Sequence, residues 1–471
     1  MNYFTRMIIV AGALVPSLMI AEKSPVVSSP KPNVIVIMVD DMGYGGVSCF
    51  DNRNFKTPEI DRLCAEGMKL TDFHSNGAVC SPTRAALMTG RYQQRSGCDE
   101  VVNADPRVPM HHIGIHADEW TFAEAMQSSG YATAIFGKWH LGYKPEFHPM
   151  RHGFDEFNGF ISGNIDAHSH MDRMRVQDWW QGEALKDEPG YHTDLINKHA
   201  VDFIERHQSE PFFLYVAHGT PHSPHQARAS KIQRGPDKGK IPDWAPEETY
   251  SKDRKSEDWL IRHFILPVDE GVGQIRAKLE ELGIADNTIV WFVSDNGGTG
   301  GNFTTSPLTK GNKSQFYEGG HRVPGIVWAP GRVTPGSVSD ELMLTFDIMP
   351  TSLDMSGIEA PEGLELDGVN LAGAIFKNES LPHKIRFWNM GSKGALRDGH
   401  WKIVVSGSES LLFDLEADPR ETKNIATQYP ERVTEMRRVY DAMLEETIAD
   451  SPYTKPEKPK SKASKPAKKK N

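Results

Sequence analysis

Four apolar runs, each followed at once by residues that can ionise or hold a metal, constrain this chain more than any other feature. NVIVIMV (33–39) runs into Asp40 and Asp41, and YATAIF (131–136) runs into GKWHLG with Lys138 and His140. PFFLYVA (211–217) leads to HGTPHSP with His218 and His222, and TIVWFV (288–293) leads to SDNGG with Asp295 and Asn296. A continuous apolar run of this length reads as a strand buried on both faces of a parallel sheet. Helical patterns separate the runs. One is opened by Thr57 and Pro58 and stopped at Gly67, and one lies over CSPTRAALMTGR, with Cys80 or Ser81 as its cap and Gly90 as its end. Others are capped by the pair Thr121 and Glu124 and by Thr193, and a long one over 256–282 is kinked or broken near Pro267. Strands alternating with helices predict an open α/β sheet. Ligands of such sheets bind beyond the carboxyl ends of the strands, so the four runs deliver their polar residues to one edge and define a site.

Asp40, Asp41, Asp295 and Asn296 are hard oxygen donors. They suit Ca²⁺ or Mg²⁺ better than a thiolate-type zinc site, with zinc on His140 and His222 as the weaker alternative. Cys80 stands at the positive end of a short helix with Arg84 four residues on, an odd place for a thiol whose only task is packing. Cys49, Cys64, Cys80 and Cys98 are too few and too clustered for a disulfide scaffold; Cys64 reads as core, and no bridge is assigned.

From about residue 384 the texture changes to short β-type runs, RFWNM, GALRDGHWKIVV and SLLFDLEAD, followed by a helix from Pro430 to about Glu445. A small antiparallel sheet with one covering helix (384–450) is therefore expected after a large domain spanning 31–383. The start of the chain, with Arg6, an apolar run from Met7 to Val15 and Ala21, reads as a secretory signal over 1–21 and points to a periplasmic or secreted protein. No other long apolar run occurs, so no membrane span is expected. Residues 455–471 hold eight lysines and one glutamate in a chain of formal net charge −10, and 451–471 reads as a disordered basic tail. Nucleic acid is not an expected partner.

CSPTRAALMTGR, with Cys-x-Pro-x-Arg followed by Thr-Gly, resembles the signature of the type I sulfatases. VDDMGYG, GKWHLG, TPHSP, SDNGG and KSQFYEGGHRVPG resemble the other blocks of that family in the same order over about residues 31–350, and LFDLEADPRETKNIA resembles its small domain. The resemblance implies an alkaline-phosphatase-like fold, with a mostly parallel sheet sandwiched by helices. It also implies conversion of Cys80 to formylglycine by a maturation enzyme, the hydrated aldehyde being the nucleophile. Asp40, Asp41, Asp295 and Asn296 would hold one Ca²⁺ with the modified Cys80 beside it. Arg84 would support the developing charge and Lys138 would steady the nucleophile. His140 would take the proton that lets sulfate leave, while His222 and Lys313 would bind sulfate and protonate the departing alcohol. Two positions depart from the family pattern. Lys313 is followed by Ser314 with Lys310 nearby as a possible sharer of its role, and His321 replaces an apolar residue and is a candidate to reach substrate.

The expected activity is release of sulfate from a sulfated carbohydrate or aryl sulfate. A phosphodiesterase or phosphonate monoester hydrolase on the same fold is the alternative, and a secreted polyanion-binding protein using the basic tail is a more distant one. The pocket rim is expected from GNIDAHSHMDRMR (163–175) and the polar segment 227–257, with Asp166, His168 and His170 as candidates to hold sugar hydroxyls.

Overall fold

In the computed structural model, residues 31–51, 56–245, 257–300 and 304–453 are described. The signal segment 1–21 and the tail beyond residue 453 lie outside the described residues. Ten strands form one mixed sheet in the spatial order 337–339, 68–70, 325–328, 288–294, 33–39, 212–217, 132–138, 156–160, 180–181, 184–185. Its centre is parallel: Asn33–Val39 lies between Phe212–Ala217 and Thr288–Ser294, and Ala132–Lys138 follows on the far side of Phe212–Ala217. The four apolar runs are therefore neighbours pointing the same way. The edges beyond them include antiparallel pairs, such as Gly325–Trp328 against Thr288–Ser294.

The two-residue period of a strand explains why the runs are apolar throughout. Val34, Val36 and Met38 pack on one face with Leu87 and Met88 of the Cys80–Thr89 helix, with Phe122 and with Met349. Ile35, Ile37 and Val39 pack on the other with Ile60, Ile196, Phe203 and Val272 from the helices Pro58–Glu66, His192–Arg206 and Glu257–Glu281. Helices thus cover both faces. Among the described residues, no helix is long and apolar enough to cross a membrane.

Local details depart from the expectations in three places. The long helix runs without a break through Pro267, held by Ile265, Val268, Val272 and Ile275 in the core on both sides of it, and the Pro267 carbonyl accepts a bond from Asn197. Thr193 is not a cap: Tyr191 precedes the helix, and the Thr193 hydroxyl pairs with His192 and Thr220. Neither Cys80 nor Ser81 caps its helix, because Val79 is the flanking residue and Cys80 is already helical. Thr121 and Glu124 do form a reciprocal capping box, and Gly90 ends the Cys80 helix at φ 64° with its N–H on the Ala86 carbonyl.

The strands Arg386–Met390, Lys393–Asp398, Trp401–Ser406 and Glu409–Asp414 form the small antiparallel sheet, covered by the helix Pro430–Ala449. Its apolar face shares a core with Ala78, Ala86, Tyr92 and Phe346 from the large sheet's side. A buried polar seam joins the two as well. The Lys402 ammonium lies 2.8 Å from Glu318 Oε1 and 2.9 Å from Glu421 Oε1, all three side chains fully buried. Arg397 pairs with Asp72, and Trp388 Nε1 donates to the Ser75 carbonyl.

Candidate active site

Asp40 and Asp41 leave the first strand, and Asp295 and Asn296 leave its neighbour, so their side chains meet under one edge of the sheet. Asn296 Nδ2 donates to Asp41 Oδ1 (2.8 Å), and the Asp41 N–H donates to Asp295 Oδ1 (3.2 Å). Asp41 adopts φ 67° and His140 φ 56°, left-handed conformations that are uncommon for residues with a side chain and that collect where a site imposes them. The Cys80–Thr89 helix points its first turn at this cluster. Cys80 Sγ donates to Asp40 Oδ1 at 3.3 Å and lies 3.4 Å from Lys313 Nζ, which in turn donates to Asp41 Oδ1 at 2.5 Å.

Each buried carboxylate has a cation. Lys138 Nζ is 2.6 Å from Asp40 Oδ2, and Arg84 donates through Nε (3.0 Å) and Nη2 (2.8 Å) to Asp295 Oδ2. Arg84 is wholly buried and is further held by the Lys138 carbonyl and the Tyr215 hydroxyl. Burial alone would push the Asp40 carboxyl up, but Lys138, His222, Lys313 and Arg84 together hold it well below the usual carboxylate range. Asp295 is pushed up to about 6 by burial and by the Asp40 charge, against the pull of Arg84. Burial, with Asp295 and Asp40 adding to it, pushes the Cys80 thiol up. The helix N-terminus does not reverse this direction, and the surroundings favour the neutral thiol.

Above the cluster is a cavity of about 100 Å³ whose lining includes Cys80, His140, His222 and Lys313. His140 Nε2 bonds the Val102 carbonyl at 2.9 Å, Nδ1 is buried without a partner among the described residues, and burial followed by Lys138 holds its pKa well below the ordinary histidine value. His222 is part-exposed, 3.7 Å from Asp41 Oδ2, with Nδ1 on the Ser223 carbonyl. Burial lowers its pKa, opposed by Asp40 and Asp41. Ligand atoms of Asp40, Asp41, Cys80 and His222 lie within 4.8 Å of one another, a group able to hold a metal; neither Asp295 nor His140 is part of it.

All six expected catalytic side chains and all four expected oxygen donors therefore come to one place. Three expected substrate-binding residues do not line the cavity. Asp166 is buried and accepts backbone N–H groups from His168, Ser169, Gln233 and Arg234. His168 bonds the Ala227 carbonyl, and His170 stacks on Trp179. Their segment reaches the cavity instead through Gly163, Asn164 and Arg173, joined by Asn103 from a stretch with no sequence pattern. Lys310 is also elsewhere: its ammonium bonds the Glu421 carbonyl and lies over Tyr317. His321 is buried in the seam, stacked on Trp388 and 2.9 Å from the His74 ring nitrogen, out of reach of the cavity lining.

The sulfatase family model matches residues 32–358, and a model for the C-terminal part of N-sulphoglucosamine sulphohydrolase matches 311–449. The chain is 33% identical over 380 residues to human N-acetylgalactosamine-6-sulfatase, covering 76% of this chain and 68% of that one. It is 28% identical over 494 residues to arylsulfatase G of Rattus norvegicus, covering 90% and 88%. Among solved structures, Ps i-CgsB in complex with k-i-k-neocarrahexaose is similar over 90% of this chain and 95% of that one, with a TM-score of 0.78 and 28% identity. With its fold, its signature helix and its ordered strand-end residues all in one site, the chain belongs to the sulfatase family and is a sulfuric ester hydrolase.

Proposed function

We propose that this sulfatase removes sulfate from a carbohydrate, using formylglycine made from Cys80 by a maturation enzyme and one Ca²⁺ among Asp40, Asp41, Asp295 and Asn296. The setting of Cys80 carries the reading: a neutral thiol between Asp40 and Lys313, on the floor of a small cavity walled by His140 and His222. A thiol pushed up by burial is a poor nucleophile, so here it serves as the precursor of a better one. The apolar run at 7–15 supports export to the periplasm or medium. Carbohydrate as substrate is supported by the relatives, one named for N-acetylgalactosamine and one solved with a neocarrahexaose.

The donor set fits a hard divalent cation. Among the described residues Asn296 Oδ1 is buried without a hydrogen-bond partner, and its Nδ2 donates to Asp41, whose N–H donates to Asp295. Bound there, the cation would neutralise charge building on the sulfate oxygens. Formylglycine, when hydrated, supplies two hydroxyls on one carbon, one to attack sulfur and one whose deprotonation expels sulfate. The remaining work falls to this chain's side chains. Lys138 and Lys313 hold the anionic centre from two sides. His140, neutral and with Nδ1 free, accepts the proton that lets sulfate depart. His222, at the open side of the cavity, donates to the leaving alcohol.

The overall reading is tested by assaying sulfate release from a panel of sulfated sugars and aryl sulfates, with aryl phosphates alongside, using enzyme whose Cys80 has been converted. Release from none of the sulfate esters overturns it. Asp295→Asn keeps the size of the side chain beside Arg84 but removes one charge from the metal set. It is expected to lose bound Ca²⁺ and at least about 100-fold in kcat/KM with the fold retained; full metal occupancy in that variant refutes the assignment of Asp295. His222→Ala is expected to slow alkyl sulfates at least about tenfold more than activated aryl sulfates, because only the former need protonation of the leaving oxygen. Equal losses across leaving groups would sink the division of labour between the two histidines.

A further inference from the structure

The segment 163–178 closes on itself. Ile165 bridges Asp172 and Met171 bridges Gln177, while Asp178 accepts the N–H groups of Ile161 and Ser162. Asp166 ties the start of the loop to Gln226, Gln233 and Arg234, as an internal carboxylate satisfied by donors on every side. At the far turn, Asp172 Oδ1 accepts the N–H groups of Met174 and Val176, which bends the chain and leaves Arg173 projecting. The near end lies against the catalytic histidine. A Cβ at Gly163 would stand 2.7 Å from His140 Nε2, so the loop approaches the site as closely as a backbone can.

Asn164 and Arg173 of the loop and Asn103 from outside it bring side chains that can donate to the cavity lining. Arg234 Nη2 donates to Asn164 Oδ1 at 2.6 Å, and the Asp105 N–H donates to Asn103 Oδ1 at 2.9 Å. Guanidinium and backbone N–H groups cannot accept, so these contacts fix which amide atom is oxygen and leave the Nδ2 groups as the unused ends. Arg173 is exposed and, among the described residues, makes no ion pair or hydrogen bond, while its neighbour Asp172 is occupied within the turn. Among the described residues, no acidic residue lines the cavity; the carboxylates lie beneath it, already matched by Lys138, Arg84 and Lys313.

We propose that Arg173, with the amide groups of Asn164 and Asn103, forms a subsite for a second anionic group on the substrate, beside the sulfate ester that is hydrolysed. The inference rests on the sulfated-carbohydrate reading and narrows it to polyanionic sugars. The second anion is a carboxylate of a neighbouring uronic acid or a further sulfate; both are planar or tetrahedral oxyanions that a guanidinium binds through paired N–H donors. An uncharged neighbour would leave Arg173 without a partner.

The test compares a singly sulfated sugar with two disaccharides carrying the same ester, one with a uronate and one with a second sulfate. Arg173→Ala is expected to raise KM for the doubly charged substrates about tenfold more than for the singly charged one, with kcat much less affected. Arg173→Lys restores part of the difference, and added salt narrows it. An effect confined to one disaccharide identifies the anion as carboxylate or sulfate. The same ranking is expected in binding measured with Cys80→Ala, where no turnover is needed. KM and affinity that change equally for all three sugars overturn the subsite. Failure of the parent enzyme to hydrolyse any sulfate ester overturns the functional reading instead, and the binding measurement then still decides whether Arg173 selects the second anion.

Discussion

Cys80→Ala will lower kcat on aryl sulfates by about 10⁴-fold or more, the scale expected when a nucleophile is removed, and will trap no sulfate on the protein. Cys80→Ser will be nearly as slow but will accumulate at most one sulfate per chain. The difference lies in one oxygen. A serine can attack sulfur and release the alcohol, yet the resulting ester has no second hydroxyl on the same carbon for His140 to deprotonate, so sulfate leaves only by slow hydrolysis. The alanine variant is also a clean control for folding. The side chain it removes makes two weak sulfur bonds, to Asp40 and from Lys313, while the Asp40–Lys138 and Asp295–Arg84 pairs stay in place. Mass analysis of active enzyme should show an aldehyde in place of the thiol. Full activity with an intact thiol would refute the mechanism and leave Cys80 as a buried packing residue.

The chemistry of this site was legible because it depends on the few residues that directly follow buried strands. NVIVIMV can only be a strand covered on both faces, so Asp40 and Asp41 had to emerge at the sheet edge, and the same holds for Asp295 and Asn296. Lys138 and His140 follow their strand just as directly. The helix caps were less legible, since Thr193 and Cys80 have the right neighbours but are already helical; their side chains engage Thr220 and Asp40 from other segments, with His192 next to Thr193. The rim was the least legible. Asp166, His168 and His170 look like ligands in a polar run, but Asp166 and His168 are turned inward by partners some sixty residues on, at 226–233, and His170 by the Trp179 ring. Arg173 and Asn164 carry no motif, and Asn103 is placed by an ordinary Asx turn.

Lys402→Met will cost about 3–5 kcal/mol of stability, the range found when one partner of a buried ion pair is removed. Lys402 is the shared cation of Glu318 and Glu421, and the Glu318 N–H bonds Glu421 Oε2, so the two carboxylates are held together. Burial alone would raise Glu318, but Lys402, His74, Arg397 and Arg322 hold it well below its ordinary value, whereas burial leaves Glu421 raised. Without the ammonium, one carboxyl of the pair must keep its proton. A carboxyl whose folded pKa exceeds the unfolded value costs stability as pH rises through the folded pKa. The loss should therefore be larger at about pH 8 than at about pH 5, measured as the shift in unfolding midpoint. Activity should fall too. Gly319, next to Glu318, donates its N–H to the Lys310 carbonyl, and the Lys313 and Ser314 N–H groups bond the Gly298 and Ala78 carbonyls, so the backbone beside Glu318 is tied to the turn that carries Lys313 to Cys80. A pH-independent loss below about 1 kcal/mol would show that the ion pair is not what joins the sheets.

The loop 163–178 brings its own scaffolding. Asp166, Asp172 and Asp178 close it through backbone N–H groups, and it touches the reacting centre mainly through Gly163. Recognition and chemistry are therefore written in separate cassettes of the chain. A library that varies residues 103, 164 and 173, and leaves Gly163 and the three aspartates alone, should retune which polymer is desulfated without rebuilding the machinery that cleaves the ester.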